Sequence, residues 1–175
     1  MSDKVDIRQL SLEELTEKLV ALGEKPFRAK QVHEWLWKKR ATNFSDMTNL
    51  SLSLRKLIEE HFIINAIKLS EAQKSDDRTI KNAFLLADDA VIEGVLIPTK
   101  KRMTACVSVQ VGCSLDCAFC ATGKLKRVRN LNPDEIYDQV VMISNQAKEE
   151  YNIPLSNIVF MGMGEPLLNY KSVIS

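Results

Sequence analysis

Cys113, Cys117 and Cys120 stand at positions i, i+4 and i+7 of one short stretch, Cys113-Ser114-Leu115-Asp116-Cys117-Ala118-Phe119-Cys120. This spacing lets three thiolates on one tight loop face a single point. The number three is informative. A closed structural zinc site takes four ligands, usually as two CxxC pairs. A cubane iron–sulfur cluster has four irons, so three cysteines leave one iron open to an exogenous ligand. The bland alternative is a zinc loop that borrows a fourth ligand. Cys106 is the only other cysteine, and neither His33 nor His61 is spaced as a partner.

Composition sets the frame for this loop. The 175 residues carry 45% hydrophobic and 27% charged side chains, ordinary for a globular protein of one domain or one plus an appendage. No apolar run approaches the roughly 20 residues of a membrane span. The opening MSDKVDIRQL lacks the basic-then-apolar pattern of a secretory leader. Four cysteines between 106 and 120 read as a metal or catalytic cluster in a reducing cytoplasm, not a secreted disulfide framework. The net charge of +1 leaves any nucleic-acid contact to local patches.

Three helices are predicted ahead of the loop, in a helical domain over residues 1–70. Ser11 and Glu14 form a capping box, with Leu12, Leu15, Leu19 and Leu22 as the apolar stripe and Gly23 as the stop. Pro26 opens a second helix over about 27–39, with Val32, Trp35 and Leu36 on one face and Arg28, Lys30, Lys38, Lys39 and Arg40 around the other. A third helix over about 52–61 buries Leu54, Leu57 and Ile58. The basic surface is either a solvated face or an RNA-contacting one; the residues alone favour the solvated face. His33 reads as a surface histidine. At most one of Trp35 and Trp37 is core.

Residues 71–100 then read as a β-hairpin linker region, with strands at 79–86 and 91–97 joined by the turn Ala87-Asp88-Asp89. Glu93 interrupts an apolar strand. It is either an edge-strand charge that blocks aggregation or a carboxylate aimed at the cysteine site. In 104–111, Ala105, Val107, Val109 and Val111 alternate with Thr104, Cys106, Ser108 and Gln110. In a (β/α) barrel the apolar set packs on helices and the polar set faces the lumen, which puts Cys106 on the cavity wall. Lys124, Lys126, Arg127 and Arg129 follow the cysteines and make a polyanionic substrate plausible. Asn132 and Pro133 start a helix to about Tyr151 that buries Ile136, Val140, Ile143 and Ala147. A buried strand over 157–162 completes a βαβ unit and runs into Met163-Gly164-Glu165-Pro166, at the strand end that carries active sites in α/β barrels.

CxxxCxxC is the hallmark of radical SAM enzymes. Around it, Cys106-Val107-Ser108-Val109-Gln110-Val111-Gly112-Cys113, Ala121-Thr122-Gly123-Lys124, Arg129-Asn130-Leu131 and the string from Met161 to Asn169 resemble the RlmN-type family of radical SAM methyltransferases. The string from Leu22 to Val32 is similar to that family's N-terminal accessory domain. The resemblance implies an α/β chain: a small helical accessory domain, a β-hairpin, and over residues 101–175 the start of a radical SAM partial barrel. It implies a 4Fe-4S cluster on Cys113, Cys117 and Cys120, and S-adenosylmethionine (SAM) contacts at Gly164 and Glu165. It makes Glu93 a proton acceptor and Cys106 the resolving cysteine that forms a transient disulfide.

The implied reaction methylates carbon 2 of adenosine in 23S rRNA and in tRNA. One SAM methylates a cysteine of the enzyme. Another, cleaved reductively with an electron from a donor such as a flavodoxin, gives the radical that activates that methyl group. In the family the methyl-carrying cysteine lies well after the Gly-Glu-Pro segment. The chain is therefore expected to be an inactive N-terminal portion, with uncovered barrel faces that favour self-association. Two alternatives stand beside this reading: a Cfr-type enzyme that methylates carbon 8, and a non-catalytic RNA- and metal-binding protein.

Overall fold

The computed structural model describes residues 4–100, 102–115 and 117–175. Asp116, within the cysteine stretch, and the first three residues of the opening decapeptide lie outside the described residues. The chain divides into two compact units, residues 1–65 and 66–175.

The first unit is a helical module closed by a small parallel pairing of β1 (Val5–Asp6) with β2 (Phe62–Ile63). Its helices are α1 (Leu12–Ala21), α2 (Phe27–Trp37) and α3 (Leu52–His61). The capping box is formed: the Glu14 amide donates to Ser11 Oγ at 3.1 Å and the Ser11 amide donates to Glu14 Oε2 at 2.7 Å. Leu15, Leu19, Val32, Leu36, Leu54 and Ile58 form the core with Met47 between them. Trp35 and Trp37 are both half-buried at its margin. Lys39 Nζ lies 3.9 Å from the Trp35 ring centroid, and the Trp35 indole N–H donates to Asn49 Oδ1. His33 lies 6.3 Å from Trp37, ring to ring.

The second unit is a sheet covered on one face by a long helix. Five strands run in the order β3 (Lys68–Lys74), β4 (Ile80–Leu85), β5 (Val91–Pro98), β6 (Met103–Cys106) and β9 (Asn157–Val159). The first four pair antiparallel and β6 pairs parallel with β9. The expected hairpin, β4–β5, is thus no separate linker but hydrogen-bonds directly onto the barrel-type strand β6. Between β6 and β9 runs α4 (Pro133–Tyr151), capped by Asn132 and Glu135 and started by Pro133. Ile136, Ile143 and Ala147 of α4 are buried in one core with Phe84, Ile92, Leu96, Ala105, Val107 and Val109.

Two strand expectations need correction. The strand predicted over 104–111 stops at Cys106 and resumes only as the two-residue β7 (Gln110–Val111), which pairs antiparallel with β8 (Arg129–Asn130). Between them the backbone takes other partners. The Val107 amide donates to the Val159 carbonyl at 3.0 Å, and the Val109 amide to the Met163 carbonyl at 2.9 Å. The strand predicted as buried over 157–162 is three residues long, with Asn157 and Ile158 exposed. It forms one edge of the sheet, and α4 packs on one of the sheet's faces. A 3-10 turn over Pro166–Asn169 and the short α5 (Tyr170–Ile174) follow it.

Candidate active site

Register fixes which residues share the face of the sheet away from α4. Cys106 lies opposite Val95, and Thr104 opposite Ile97, so these four point the same way. Strand alternation adds Glu93 to that face, and Lys81 joins it from β4, on the positions between buried Ile80 and Asn82. The other face, with Ile92, Leu96 and Ala105, is the one that joins the core with α4. Glu93 and Cys106 therefore lie on the same face, the one away from α4, as diagonal neighbours on adjacent strands. β5 lies inside the sheet, so the edge-strand reading of Glu93 does not hold. Its carboxylate pairs with Lys81 Nζ at 2.6 Å, both side chains being about half exposed.

Cys106 is buried, and burial pushes its thiol above the usual range, with the Met161 N–H pulling weakly the other way. All four cysteines are free thiols. The alternation read in the sequence holds for the apolar set: Ala105, Val107, Val109 and Val111 are all buried in the core. Of the polar set, Thr104 is half-buried and Cys106, Ser108 and Gln110 are buried, Ser108 by hydrogen bonds that the sequence does not announce. Ser108 Oγ donates to the Glu93 carbonyl at 2.5 Å and accepts the Met163 amide at 2.8 Å. The Gln139 side chain mimics a strand partner: Oε1 accepts the Ser108 amide at 2.9 Å and Nε2 donates to the Ser108 carbonyl at 3.1 Å. Asn169 Nδ2 donates to the carbonyls of both Val109 and Leu131. Gln139 is discoverable in principle, because it interrupts the apolar stripe of α4 between Ile136 and Ile143.

The cysteine loop follows the C-terminal end of β6 and the Gly164-Glu165 turn follows that of β9. Loops at this end of parallel strands carry ligand sites in α/β folds. Gly112 enters the loop with φ of +72°, and a Cβ there would stand 2.2 Å from the Lys126 carbonyl oxygen, so glycine is required. Cys113 is half-buried, Cys117 exposed and Cys120 half-buried. The Cys113 amide donates to the Leu125 carbonyl at 3.3 Å, and the Leu115 amide donates to Cys113 Sγ at 3.4 Å. The backbone N–H groups of Gly123, first, and Thr122 hold the Cys120 thiol below the ordinary range, toward the thiolate that binds metals. Among the described residues no three His, Cys, Asp or Glu side chains converge as a metal group. The donor chemistry nevertheless fits a thiolate-held cluster: three free thiols on one loop, at least partly exposed, one of them beside two backbone N–H donors.

Of the four basic residues after the loop, Arg129 is committed. It forks onto Glu135 with two contacts of 2.8 Å and reaches Asp88 at 2.7 Å. Both carboxylates raise the guanidinium further above its already high range, Glu135 the more, and Arg129 holds Asp88 low. Lys124, Lys126 and Arg127 stand exposed, as does the Phe119 ring at 94%. At the other turn, Gly164 has φ of +95°, and Glu165 caps the following 3-10 turn by accepting the Leu167 amide at 3.1 Å.

Comparison with known proteins places this arrangement. Residues 5–64 match the family described as the ribosomal RNA large subunit methyltransferase N-terminal domain, and residues 107–174 match the radical SAM superfamily. A probable dual-specificity RNA methyltransferase RlmN of Christiangramia forsetii is 60% identical over 171 residues, covering 98% of this chain and 49% of that protein. The dual-specificity RNA methyltransferase RlmN of Geotalea uraniireducens is 44% identical over 172 residues, covering 98% of this chain and 48% of that protein. The crystal structure of a radical SAM methyltransferase from Sphaerobacter thermophilus superposes with a TM-score of 0.82 at 38% identity, covering 97% of this chain and 50% of that one. The chain spans about half the length of the curated relatives it matches. With the two family models following one another along the chain, and relatives and a solved structure aligned over nearly all of it, the chain is similar from end to end to about half of an RlmN-type radical SAM protein.

Proposed function

We propose that the chain supplies the cluster-holding and SAM-reading part of a radical SAM methyltransferase acting on carbon 2 of adenosine in 23S rRNA and tRNA. The observation that carries this reading is the pairing of a three-thiol loop with the Gly164-Glu165 turn at the same end of the parallel strands β6 and β9. Cys113, Cys117 and Cys120 would hold a 4Fe-4S cluster, which when bound with SAM supplies the one-electron reduction that adenine carbon methylation needs. Gly164 offers a backbone without a side chain, and Glu165 a carboxylate, to the methionine end of SAM.

On the sheet's face away from α4, Glu93 would accept the proton lost from the adenine ring carbon, with Lys81 balancing its charge. Cys106 would release the product. Its thiolate would attack the sulfur of the cysteine to which the base is linked, one other than the three that hold the cluster. An S–S bond would form as the C–S bond breaks, and the electron pair would leave with the base. Burial raises this thiol above the usual range. Lys124, Lys126 and Arg127 beside the loop suit RNA phosphates, and Phe27 with Arg28 on α2 suits a base and a phosphate. The remaining parts of the reading are a cytoplasmic location, a flavodoxin-type electron donor and self-association through exposed apolar side chains. Among the described residues no helix is long and apolar enough to cross a membrane.

The test is mass mapping of adenosine from RNA treated with the whole enzyme under anaerobic, reducing conditions. A new methyl on carbon 2 is expected. A methyl on carbon 8, or none, overturns the proposal.

A further inference from the structure

We infer that Gln110 is a positioning residue: its side-chain amide couples the cysteine loop to the Gly164-Glu165 turn so that the two move as one body. This rests on the reading of those segments as cluster and SAM sites. Gln110 is fully buried at 0% exposure and spends both ends of its amide. Its Oε1 accepts the Glu165 amide at 3.0 Å, and its Nε2 donates to Asn130 Oδ1 at 2.7 Å. Asn130 extends the chain in two directions. Its Oδ1 also accepts from Arg127 at 3.0 Å, and its Nδ2 donates to the Leu168 carbonyl at 3.1 Å.

The polarity of this chain is forced. A backbone N–H can only donate, so the Gln110 oxygen must face Glu165 and its NH2 must face Asn130. The Asn130 oxygen must then face Gln110, which turns its NH2 to the Leu168 carbonyl, an acceptor only. Neither amide can flip without setting acceptor against acceptor. Backbone contacts run alongside: Gln110 pairs with Asn130 across β7 and β8, and the amides of Val109 and Gln110 both donate to the Met163 carbonyl. The side chain also fills space against the turn. A Cβ on Gly164 would lie 2.5 to 2.8 Å from Gln110 Cβ, Cγ and Oε1. β8 in turn follows shortly after Lys126, whose bridge to Cys113 closes the cysteine loop. One amide thus sets the position of the Glu165 backbone on one side and of the loop's exit strand on the other.

The test compares the native chain with Gln110→Leu and the near-isosteric Gln110→Glu after anaerobic reconstitution. Hydrogen–deuterium exchange is read on peptides covering 123–131 and 161–169, and SAM affinity is measured by equilibrium dialysis with iron determined in parallel. In both variants the two segments should gain exchange together, by tenfold or more, while the β3–β5 peptides keep native protection. SAM affinity should fall at least tenfold with iron retained. Faster exchange in only one segment, uniform loss of protection across 66–175, or native SAM affinity would each overturn the coupling. Should the Gln110 variants fail to fold, Gly164→Ala pushes on Gln110 from the turn. It should raise exchange in 123–131, which it does not touch, and unchanged exchange there refutes the inference. A native chain that binds no SAM while its two segments respond together would leave the coupling standing and contradict the proposed function instead.

Discussion

Burial holds the Cys106 thiol above the ordinary thiol range, so at neutral pH it reacts more slowly than a free cysteine. Alkylation followed by mass spectrometry should show Cys106 lagging well behind exposed Cys117 at pH 8. Equal rates would contradict the buried placement. The sign for stability follows from the raised value. Below the unfolded thiol's pKa of about 8.5 burial costs nothing in charge, and as pH rises past it the folded state loses stability. Gly164 makes a further residue-scale prediction. Its positive φ and its contact with Gln110 mean that Gly164→Ala should cost on the order of 3 kcal/mol, read by denaturant unfolding. The face that carries Cys106 was legible in the alternation of 104–111. The role of Gln110 was not, because its partners lie 20 and 55 residues away and a glutamine's hydrogen bonds leave no periodic trace.

Elements were legible where local chemistry decides them. Two helix starts were readable, the capping box of Ser11 with Glu14 and the start at Asn132 and Pro133, because a cap is satisfied within one turn. Ser11→Ala should therefore destabilise the N-terminal unit by about 1 kcal/mol. The break after Cys106 was not readable, since the backbone of 107–109 is claimed by residues more than 20 positions downstream. The same holds for the Arg129 junction, which ties the β4–β5 turn, β8 and the start of α4 through Asp88 and Glu135. Arg129→Leu would leave buried Glu135 unpaired and should cost on the order of 2 kcal/mol, less than the roughly 3–5 of a fully buried pair. Asp88 is held below its usual value by Arg129, so its contribution is present above the unfolded pKa of about 4 and fades as pH falls through the lower folded value. Removing Arg129 should flatten that part of the acid unfolding profile. An unchanged profile would show that the pair does not matter to stability.

For the whole molecule, the α/β class, the helical N-terminal module and the parallel β6–α4–β9 unit were all present in the sequence pattern. The exposed edge was harder to read, because a run such as Asn157-Ile158-Val159-Phe160 has the same pattern whether neighbours cover it or not. Met161 and Leu167 stand 79% and 74% exposed, with Ile158, Leu168 and Tyr170 also exposed on the same stretch of chain. Apolar side chains so displayed favour association, and sedimentation should detect dimers or larger species at micromolar concentration. A strictly monomeric chain would contradict that expectation. The three-cysteine loop should hold a cluster, and metal content after anaerobic reconstitution reads this out. About four irons per chain are expected, lost on Cys117→Ala and retained on Cys106→Ser. One zinc and no iron, or iron lost with Cys106, would contradict it.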